Sequence, residues 1–234
     1  MNTGLSPAFA YLRQPTMVDF PGRLAAVVFV AGCNFRCGFC HNASLMGRPR
    51  PGLSWDKLEA AVRAFKKNWV TGVAITGGEP TLDPGMPDLV RFFKERGWAV
   101  KLDTNGTNPE RLRDLAPLLD SVAMDVKASL EAYPELTGWP DPTPIRESLE
   151  IVKGMGEKGL LRTTILDPFH TDAMMHAIGR LIAGAAAYQM QAFVPRDDLP
   201  DPGFRTLART TPERLAALQA LMRPYAKTIM IRGG

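Results

Sequence analysis

Short apolar runs alternate along this chain with longer stretches in which apolar residues return every three or four positions. The first run is LAAVVFV, residues 24–30, and the first longer stretch covers residues 54–68, with Ser54 as a candidate helix cap. Four apolar residues of that stretch share one helical face: Leu58, Ala61, Val62 and Phe65. The alternation predicts strands and helices that follow one another in turn.

The same alternation continues to the end of the chain. The predicted strands cover residues 24–30, 72–76, 98–104, 121–127, 160–166 and 186–194. The predicted helices cover residues 54–68, 83–97, 109–119 and 144–158, and two more begin at Thr171 and Pro212. A terminal apolar segment, KTIMIR, is expected to close the edge or the bottom of the sheet. About six strand-helix units running in one direction predict a parallel sheet.

We therefore expect an α/β fold in the form of a partial (β/α)6 TIM-like barrel. Six units fall short of the eight that close a barrel, so an open shape with a lateral cleft is predicted. No linker or repeat divides the chain. The prediction is a single domain over residues 1–234, with a core over about residues 20–195 and a C-terminal helix and tail over residues 196–234.

The loops that follow the predicted strands carry most of the glycines, cysteines and paired polar residues. They read GCNFRCGFCHN, TGGEPT, DTNGTN, DVKAS, LDPFHT and VPRDD. Parallel strands joined by crossover helices bring these loops to one face, where folds of this kind bind ligands. A functional site is therefore expected at the carboxyl ends of the strands.

Composition and charge narrow the class of protein. The chain is 45% apolar and 22% charged, which is ordinary for a globular protein. Its 28 basic and 24 acidic residues give a net charge of +4 without long runs of one sign, so nucleic-acid binding is not expected. The longest apolar stretch is too short for a membrane helix and no leader is recognised, so we expect a cytoplasmic protein without a membrane partner.

All three cysteines lie within eight positions, at Cys33, Cys37 and Cys40. An odd number in one segment cannot form a disulfide framework, whereas reduced thiolates are natural metal ligands. Three thiolates can hold three corners of an iron–sulfur cube and leave one iron without a protein ligand. A zinc site with His41 as the fourth ligand and a trio of buried thiols are the alternatives.

The spacing Cys-x3-Cys-x2-Cys after one strand, with a glycine-rich loop after the next, resembles the radical S-adenosylmethionine (SAM) enzymes. The resemblance implies that Cys33, Cys37 and Cys40 hold a [4Fe-4S] cluster whose fourth iron is chelated by SAM. Phe39 matches the family's usual aromatic residue beside the adenine, with plain packing as its alternative role.

Further loops match the family residue by residue. Gly77, Gly78 and Glu79, in the motif GGEP, resemble the segment whose backbone meets the SAM amino group, and side chains on the glycines would block that approach. The resemblance implies further site residues in the later strands. Asp103 and Thr104 match ligands of a monovalent cation beside the SAM carboxylate, and Asp103 is also expected to contact SAM. Residues expected to bind SAM itself are Asp125, Lys127 and Arg162. A structural ion pair is the alternative for Asp125 and Lys127, and a surface position for Arg162.

Within that superfamily, VDFPGRLAAVVFVAGCNFRCGFCHN, LDTNG and MDVK are similar to segments of the activating enzymes of glycyl-radical proteins. The closest type is the anaerobic ribonucleoside-triphosphate reductase activating protein, from about Arg13 to Gln191. This implies an oxidoreductase that takes an electron from flavodoxin or ferredoxin, cleaves SAM to a 5′-deoxyadenosyl radical and generates a glycyl radical on a partner, the anaerobic ribonucleotide reductase. His41 and Asn42 belong to the motif, but the resemblance implies no specific role for them. For His170 and His176 we expect a surface or helix role.

Two other interpretations stay open at this point. The first is a radical SAM enzyme that modifies a peptide or a small metabolite, such as a ribosomal-peptide maturase or a 7-carboxy-7-deazaguanine synthase. The second is an electron-carrying or zinc-binding module without catalysis, which leaves GGEP, DTNG and MDVK unexplained. One departure concerns the partner: the Pro-Gly to cysteine spacing is a residue longer than in pyruvate formate-lyase activators.

Overall fold

The structure, a computed structural model, describes residues 4–167 and 169–233. Its strands are β1 (Ala8–Tyr11), β2 (Ala25–Val30), β3 (Gly72–Gly77), β4 (Ala99–Thr104), β5 (Ser121–Asp125), β6 (Gly159–Ile165), β7 (Ala185–Ala192) and β8 (Ala226–Arg232). Its α-helices are α1 (Trp55–Lys66), α2 (Met86–Glu95), α3 (Pro109–Leu115), α4 (Tyr133–Thr137), α5 (Thr143–Gly154), α6 (Asp172–Ile182), α7 (Pro202–Arg205) and α8 (Pro212–Met222).

The sheet has its strands in chain order, from β1 to β8. Strand β2 pairs with β3 and β3 with β4 in parallel, and the same holds for β6 with β7 and β7 with β8. Strand β1 is antiparallel to β2. Within the described residues, six strands from β2 to β7 are each followed by a helix. The predicted α/β class and the predicted number of units are confirmed.

By its internal contacts the described chain divides into two compact units that are interleaved along the sequence. The first unit takes residues 4–34, 44–104 and 110–122. The second takes residues 35–43, 105–109, 123–167 and 169–233. Each unit contains strand-end loops that the sequence assigned to the site. The prediction of one domain over residues 1–234 stays a prediction.

The first unit is held by apolar faces of α1 and α2 packed beside buried strands. The predicted face of α1 is buried, and the Ser54 side chain accepts a hydrogen bond from the Lys57 N–H as a cap. The Phe93 and Trp98 rings stack at a centroid distance of 5.5 Å, and Phe65 meets Trp98 edge-on at 6.5 Å. Burial of these side chains provides the main stabilisation of the unit.

The second unit is built on β6 and β7. Residues of β6 alternate between buried and half-buried, which places Leu161 and Thr163 on the buried face and Arg162 on the other. The Tyr188 hydroxyl donates to Thr163 Oγ1 at 2.7 Å, and that hydroxyl donates to the Val126 carbonyl oxygen at 2.6 Å. Burying these polar groups is tolerated because each has a partner.

Three elements were not predicted: β1, α4 and α7. Each has only four or five residues, too few for an apolar period to be visible. The terminal apolar segment forms β8, at the edge of the sheet and parallel to β7, so the edge position is correct. None of the helices in residues 4–167 and 169–233 has the length and apolarity that crossing a bilayer requires.

Candidate cofactor site

The cysteine loop, residues 33–40, follows β2. In the first unit, the Cys33 N–H donates to the Gly47 carbonyl oxygen at 2.9 Å. In the second unit, Cys37 is buried, Cys40 is half-buried, and the Cys40 N–H donates to the Cys37 carbonyl oxygen at 3.2 Å. All three cysteines of the chain are described and none is in a disulfide. The loop therefore offers three thiols for metal binding.

Cys40 illustrates how a metal would change this loop. Burial raises the pKa of its thiol above the ordinary value, although the Asn42 N–H and the Lys127 ammonium act in the opposite direction. A thiolate ligand must lose its proton, so metal binding at this loop releases protons and depends on pH.

The donor set consists of three thiolates, the ligand type that iron–sulfur clusters use. Among the described residues, no group of three His, Cys, Asp or Glu side chains is arranged to hold one metal ion. A cubane makes a different demand, because each thiolate binds a separate iron. His41, the candidate fourth zinc ligand, directs Nε2 to the Val194 carbonyl oxygen at 2.8 Å. The three soft thiolates therefore fit a [4Fe-4S] cluster.

The glycine loop after β3 packs directly on the end of β2. The Gly78 N–H donates to the Val30 carbonyl oxygen at 2.8 Å, and the Glu79 N–H donates to the Gly32 carbonyl oxygen at 2.7 Å. A Cβ on Gly78 would lie 2.0 Å from that Gly32 oxygen, and Gly77 has a φ of +120°. Both glycines are therefore required by the chain's own backbone, a reason that the sequence did not reveal.

Glu79 is buried at the end of this loop, with only 1% of its surface exposed. Its Oε1 accepts hydrogen bonds from the Thr81 N–H at 3.0 Å, the Thr81 hydroxyl at 2.5 Å and the Thr104 hydroxyl at 2.8 Å. The carboxylate thus joins the ends of β3 and β4. Thr104, predicted as a cation ligand, uses its hydroxyl proton in this network.

Asp103, the other predicted cation ligand, forms an ion pair with Lys101 two residues earlier on β4. The Lys101 side chain is 3% exposed and the Asp103 side chain is 12% exposed. Because they are two residues apart on a strand, both point to the same face. An ammonium therefore already lies against the carboxylate that the sequence assigned to a monovalent cation.

The end of β5 carries a charged trio with Arg162 of β6. Arg162 Nε donates to Asp125 Oδ1 at 2.5 Å, and Lys127 Nζ donates to Asp125 Oδ2 at 2.8 Å. Burial alone would raise the pKa of Asp125, but the two cations outweigh it and hold that pKa well below the usual range. Burial would likewise lower the pKa of Lys127, but Asp125 outweighs it and raises that pKa. The ion pair considered from the sequence is present, with Arg162 as a third, half-buried member.

The trio and Phe39 form the part of the predicted SAM site that lies in the second unit. Lys127 Nζ lies 5.8 Å from the centroid of the buried Phe39 ring. The trio has a net charge of +1, which suits a carboxylate, and an aromatic ring suits a nucleoside base. These four side chains fit the amino-acid and adenosine parts of SAM in their chemistry.

His170 is a buried member of this region that sequence analysis missed. Its Nδ1 accepts from the Leu166 N–H at 2.9 Å, so Nε2 carries the proton and donates to the Lys127 carbonyl oxygen at 3.0 Å. Burial lowers its pKa to about 4. The expected surface or helix role is wrong for His170, whereas exposed His176 lies on α6 and contacts Tyr225. The available signal was its position in a strand-end loop, LDPFHT.

Comparison with known proteins identifies the family. The model of the radical SAM superfamily matches residues 27–182. A protein of Methanocaldococcus jannaschii, provisionally named a glycyl-radical enzyme activating enzyme, is 29% identical over 92% of this chain and 91% of its own. A pyruvate formate-lyase-activating enzyme of Clostridium pasteurianum is 29% identical over 67% of each chain. A 7-carboxy-7-deazaguanine synthase of Methanopyrus kandleri is 32% identical over 52% of this chain and 56% of its own.

Solved structures share the fold. Streptococcus suis SuiB superposes with a TM-score of 0.65 at 16% identity, over 88% of this chain and 49% of SuiB, so the chain spans about half the length of that protein. A domain of a pyruvate-formate lyase-activating enzyme from Bacteroides vulgatus superposes with a TM-score of 0.55 at 14% identity, over 69% of this chain and 99% of that domain. The resemblance drawn from the cysteine spacing is confirmed. The chain belongs to the radical SAM superfamily, whose enzymes use a [4Fe-4S] cluster and SAM.

Proposed function

We propose that this protein is an activating enzyme that generates a glycyl radical on a partner enzyme by reductive cleavage of SAM. The observation that carries the proposal is the extent of one similarity. The relative named for this activity matches 92% of the chain and is itself covered over 91% of its length. The 7-carboxy-7-deazaguanine synthase of M. kandleri matches little more than half of either chain.

Cys33, Cys37 and Cys40 would hold the cluster, which leaves one iron for SAM. When bound and reduced, the cluster supplies the electron that cleaves SAM to methionine and a 5′-deoxyadenosyl radical. The chain's own groups bind and orient the cofactors and keep water away from them. Hydrogen abstraction by a radical needs no general base, in keeping with a His170 ring whose two nitrogens are both engaged with backbone groups.

The other predicted residues would bind SAM. The backbone of Gly77, Gly78 and Glu79 would meet its amino group, and Phe39 would lie beside its adenine. Asp125, Lys127 and Arg162 would hold its polar groups through the charged trio. The positions Asp103 and Thr104 remain candidates for a monovalent cation, in competition with the ammonium of Lys101.

For the partner we propose an anaerobic ribonucleotide reductase, and for the electron donor a flavodoxin or a ferredoxin. The support for this partner is the resemblance of the chain, from about Arg13 to Gln191, to activating proteins of the anaerobic ribonucleoside-triphosphate reductase type. The similarity to the C. pasteurianum relative, named for pyruvate formate-lyase, supports a different glycyl-radical enzyme as the competing partner. A cytoplasmic location and the absence of a nucleic-acid partner stay predictions.

The test is an anaerobic assay with defined components. The protein is reconstituted with iron and sulfide, reduced, and mixed with SAM and either candidate partner. We expect 5′-deoxyadenosine and a glycyl-radical signal in electron paramagnetic resonance on the reductase. Formation of 5′-deoxyadenosine with no radical on either partner would contradict activation but leave the SAM chemistry intact.

Variants of the cysteines test the cluster assignment separately. Cys37→Ala is expected to lose the cluster absorbance and SAM cleavage together, as are Cys33→Ala and Cys40→Ala. Ser44→Ala, at an exposed position just beyond the cysteine loop, is the matched control. A Cys37→Ala protein that keeps a SAM-responsive cluster would show that the ligands are assigned wrongly.

A second candidate function is the modification of a purine-like metabolite. It is favoured by the 32% identity to the M. kandleri 7-carboxy-7-deazaguanine synthase, which covers 52% of this chain. A peptide substrate is the further alternative. Formation of 7-carboxy-7-deazaguanine, or modification of a precursor peptide, without a partner protein, would favour these over activation.

A further inference from the structure

The segment after β7 returns to the cysteine loop and bonds to its backbone. The Asp201 N–H donates to the Gly38 carbonyl oxygen at 3.1 Å. The Asp201 side chain accepts from the Gly203 N–H at 2.8 Å, which starts the short helix α7. Gly38 lies between Cys37 and Phe39, so this turn, Asp201–Phe204, is attached to the part of the loop that carries two of the thiols.

Gly38 leaves no room for a side chain at this contact. A Cβ on Gly38 would lie 2.6 Å from Asp201 Cβ and 2.9 Å from a ring carbon of Phe204. Such distances require the backbone or the ring to move. The glycine between the second and third cysteines is therefore explained by the turn that packs on it.

Aromatic rings continue the contact from the turn to the loop. The Phe204 ring meets the Phe39 ring at a centroid distance of 5.6 Å and an interplanar angle of 62°. On its other side, Phe204 lies 6.4 Å from the buried Phe193 ring at the end of β7. Edge-to-face pairs at these distances are stabilising and orient both rings.

His41 adds a third attachment just after Cys40. Its ring stacks on Phe193 at 5.8 Å with an interplanar angle of 21°. Its Nε2 lies 2.8 Å from the Val194 carbonyl oxygen. A carbonyl only accepts, so Nε2 carries the proton and donates. The residues on both sides of Cys40 are thus fixed to the region that follows β7.

We propose that Phe204 and the Asp201–Phe204 turn are positioning elements for the cofactors, because they fix Phe39 and the arc from Cys37 to Cys40. This inference rests on the proposed function, since it assigns the cluster and SAM to that arc. Phe39 stands between two ligand residues, so packing against its ring and against the Gly38 backbone restrains the main chain that carries both thiols. The contacts exist within the protein chain itself, which prepares the loop before a cofactor binds.

The experiment compares Phe204→Ala and Gly38→Ala, separately and together, with Phe204→Tyr and with Leu207→Ala as the control in the same segment. We expect Phe204→Ala to assemble a cluster but to alter the paramagnetic resonance spectrum of the reduced cluster without SAM. Its SAM affinity should fall by about tenfold, as for partners that orient metal ligands. The effects of the two changes should be less than additive in the double variant, because both disturb the contact between Gly38 and Phe204. Phe204→Tyr should retain wild-type behaviour.

A second measurement uses the protein without its cluster. Amide hydrogen exchange of the peptide over residues 35–43 should become several-fold faster in Phe204→Ala and in Gly38→Ala, and should not change in Leu207→Ala. The inference is overturned if Phe204→Ala matches the wild type in spectrum, SAM affinity and exchange, or if Leu207→Ala has the same effects. Should Phe204→Ala fail to fold, Gly38→Ala and Phe204→Leu decide by the same measures. A wild-type cluster whose spectrum does not change on addition of SAM would contradict the proposed function. The hydrogen-exchange result would still test whether Phe204 and Gly38 hold the cysteine loop in place.

Discussion

The imidazole of His170 donates a hydrogen bond from Nε2 to the backbone carbonyl oxygen of Lys127, at 3.0 Å. The same ring accepts from the Leu166 N–H, so a neutral imidazole joins the loop after β6 to the end of β5. Lys127 in turn holds Asp125 and lies over Phe39. His170, which matches no motif of the family resemblance, therefore supports the backbone of Lys127, a predicted SAM ligand.

Protonation of His170 is expected to destabilise the fold between about pH 6.5 and pH 4. The native ring has a pKa of about 4, whereas the unfolded chain takes up the proton near pH 6.5, so stability falls as the pH falls through this window. The effect amounts to about 3 kcal/mol at the acid end. Urea unfolding of the cluster-free protein should show this loss in the wild type and not in His170→Gln. Two charged neighbours of His170 stay unchanged in both proteins. One is Asp167, and the other is Arg214, which donates a hydrogen bond to the His170 carbonyl oxygen.

His176→Gln, at an exposed position of α6, is the matched control for that measurement. Parallel pH dependences of the wild type and His170→Gln would show that the buried ring is not the group responsible.

Removal of the Asp125 carboxylate is expected to destabilise the protein and to abolish SAM binding. Asp125→Asn leaves Arg162 and Lys127 as two neighbouring cations without their shared anion, which should cost about 2 kcal/mol in a site that water reaches only partly. The low pKa of Asp125 means that its contribution is present above about pH 4 and is lost as the pH falls below that value. Unfolding of the cluster-free protein and titration with SAM measure the two effects. Asp88→Asn, in an exposed pair with Arg91, should change neither.

A methyl group at Gly78 is expected to be incompatible with the glycine loop. Gly78→Ala would place Cβ 2.0 Å from the Gly32 carbonyl oxygen, so the loop and the end of β2 must separate, at a cost of about 2 kcal/mol or more. Gly154→Ala is the control, because a Cβ there meets nothing within 4 Å at the end of α5. Denaturant midpoints of the cluster-free variants check this. Equal stability of both variants would refute the close approach.

Exchange of the monovalent cation tests the ion pair between Lys101 and Asp103. Because the ammonium already neutralises the carboxylate, SAM affinity of the wild type should change little when potassium is replaced by choline. Lys101→Met leaves the largely buried Asp103 carboxylate without this ammonium, so the carboxylate should attract a cation and SAM affinity should depend on potassium. Lys94→Met, which removes a more exposed partner of Asp120, is the control. Potassium dependence in the wild type would instead favour a bound cation at Asp103 and Thr104.

Much of the fold could be read from the sequence, since its signals are local. The α1 face is an example: Leu58, Val62 and Phe65 return at helical spacing, and burial of that face follows directly. Strand β1 and helix α7 could not be predicted, because four residues show no period and their conformation depends on what they pack against. His170 was misjudged for the same reason, since its burial depends on partners 4 and 43 residues away in sequence.

The sequence by itself determined the chemistry of the site, through three thiols in eight positions and glycine-rich and charged loops after successive strands. These depend on residue type and spacing, which the chain carries before it folds. Only the tertiary structure decided why Gly38 and Gly78 are glycines, which cation pairs with Asp103, and that Phe204 holds Phe39. Those relationships depend on packing and on close approach of backbone segments, mostly between residues distant in sequence. Local sequence patterns therefore do not predict them.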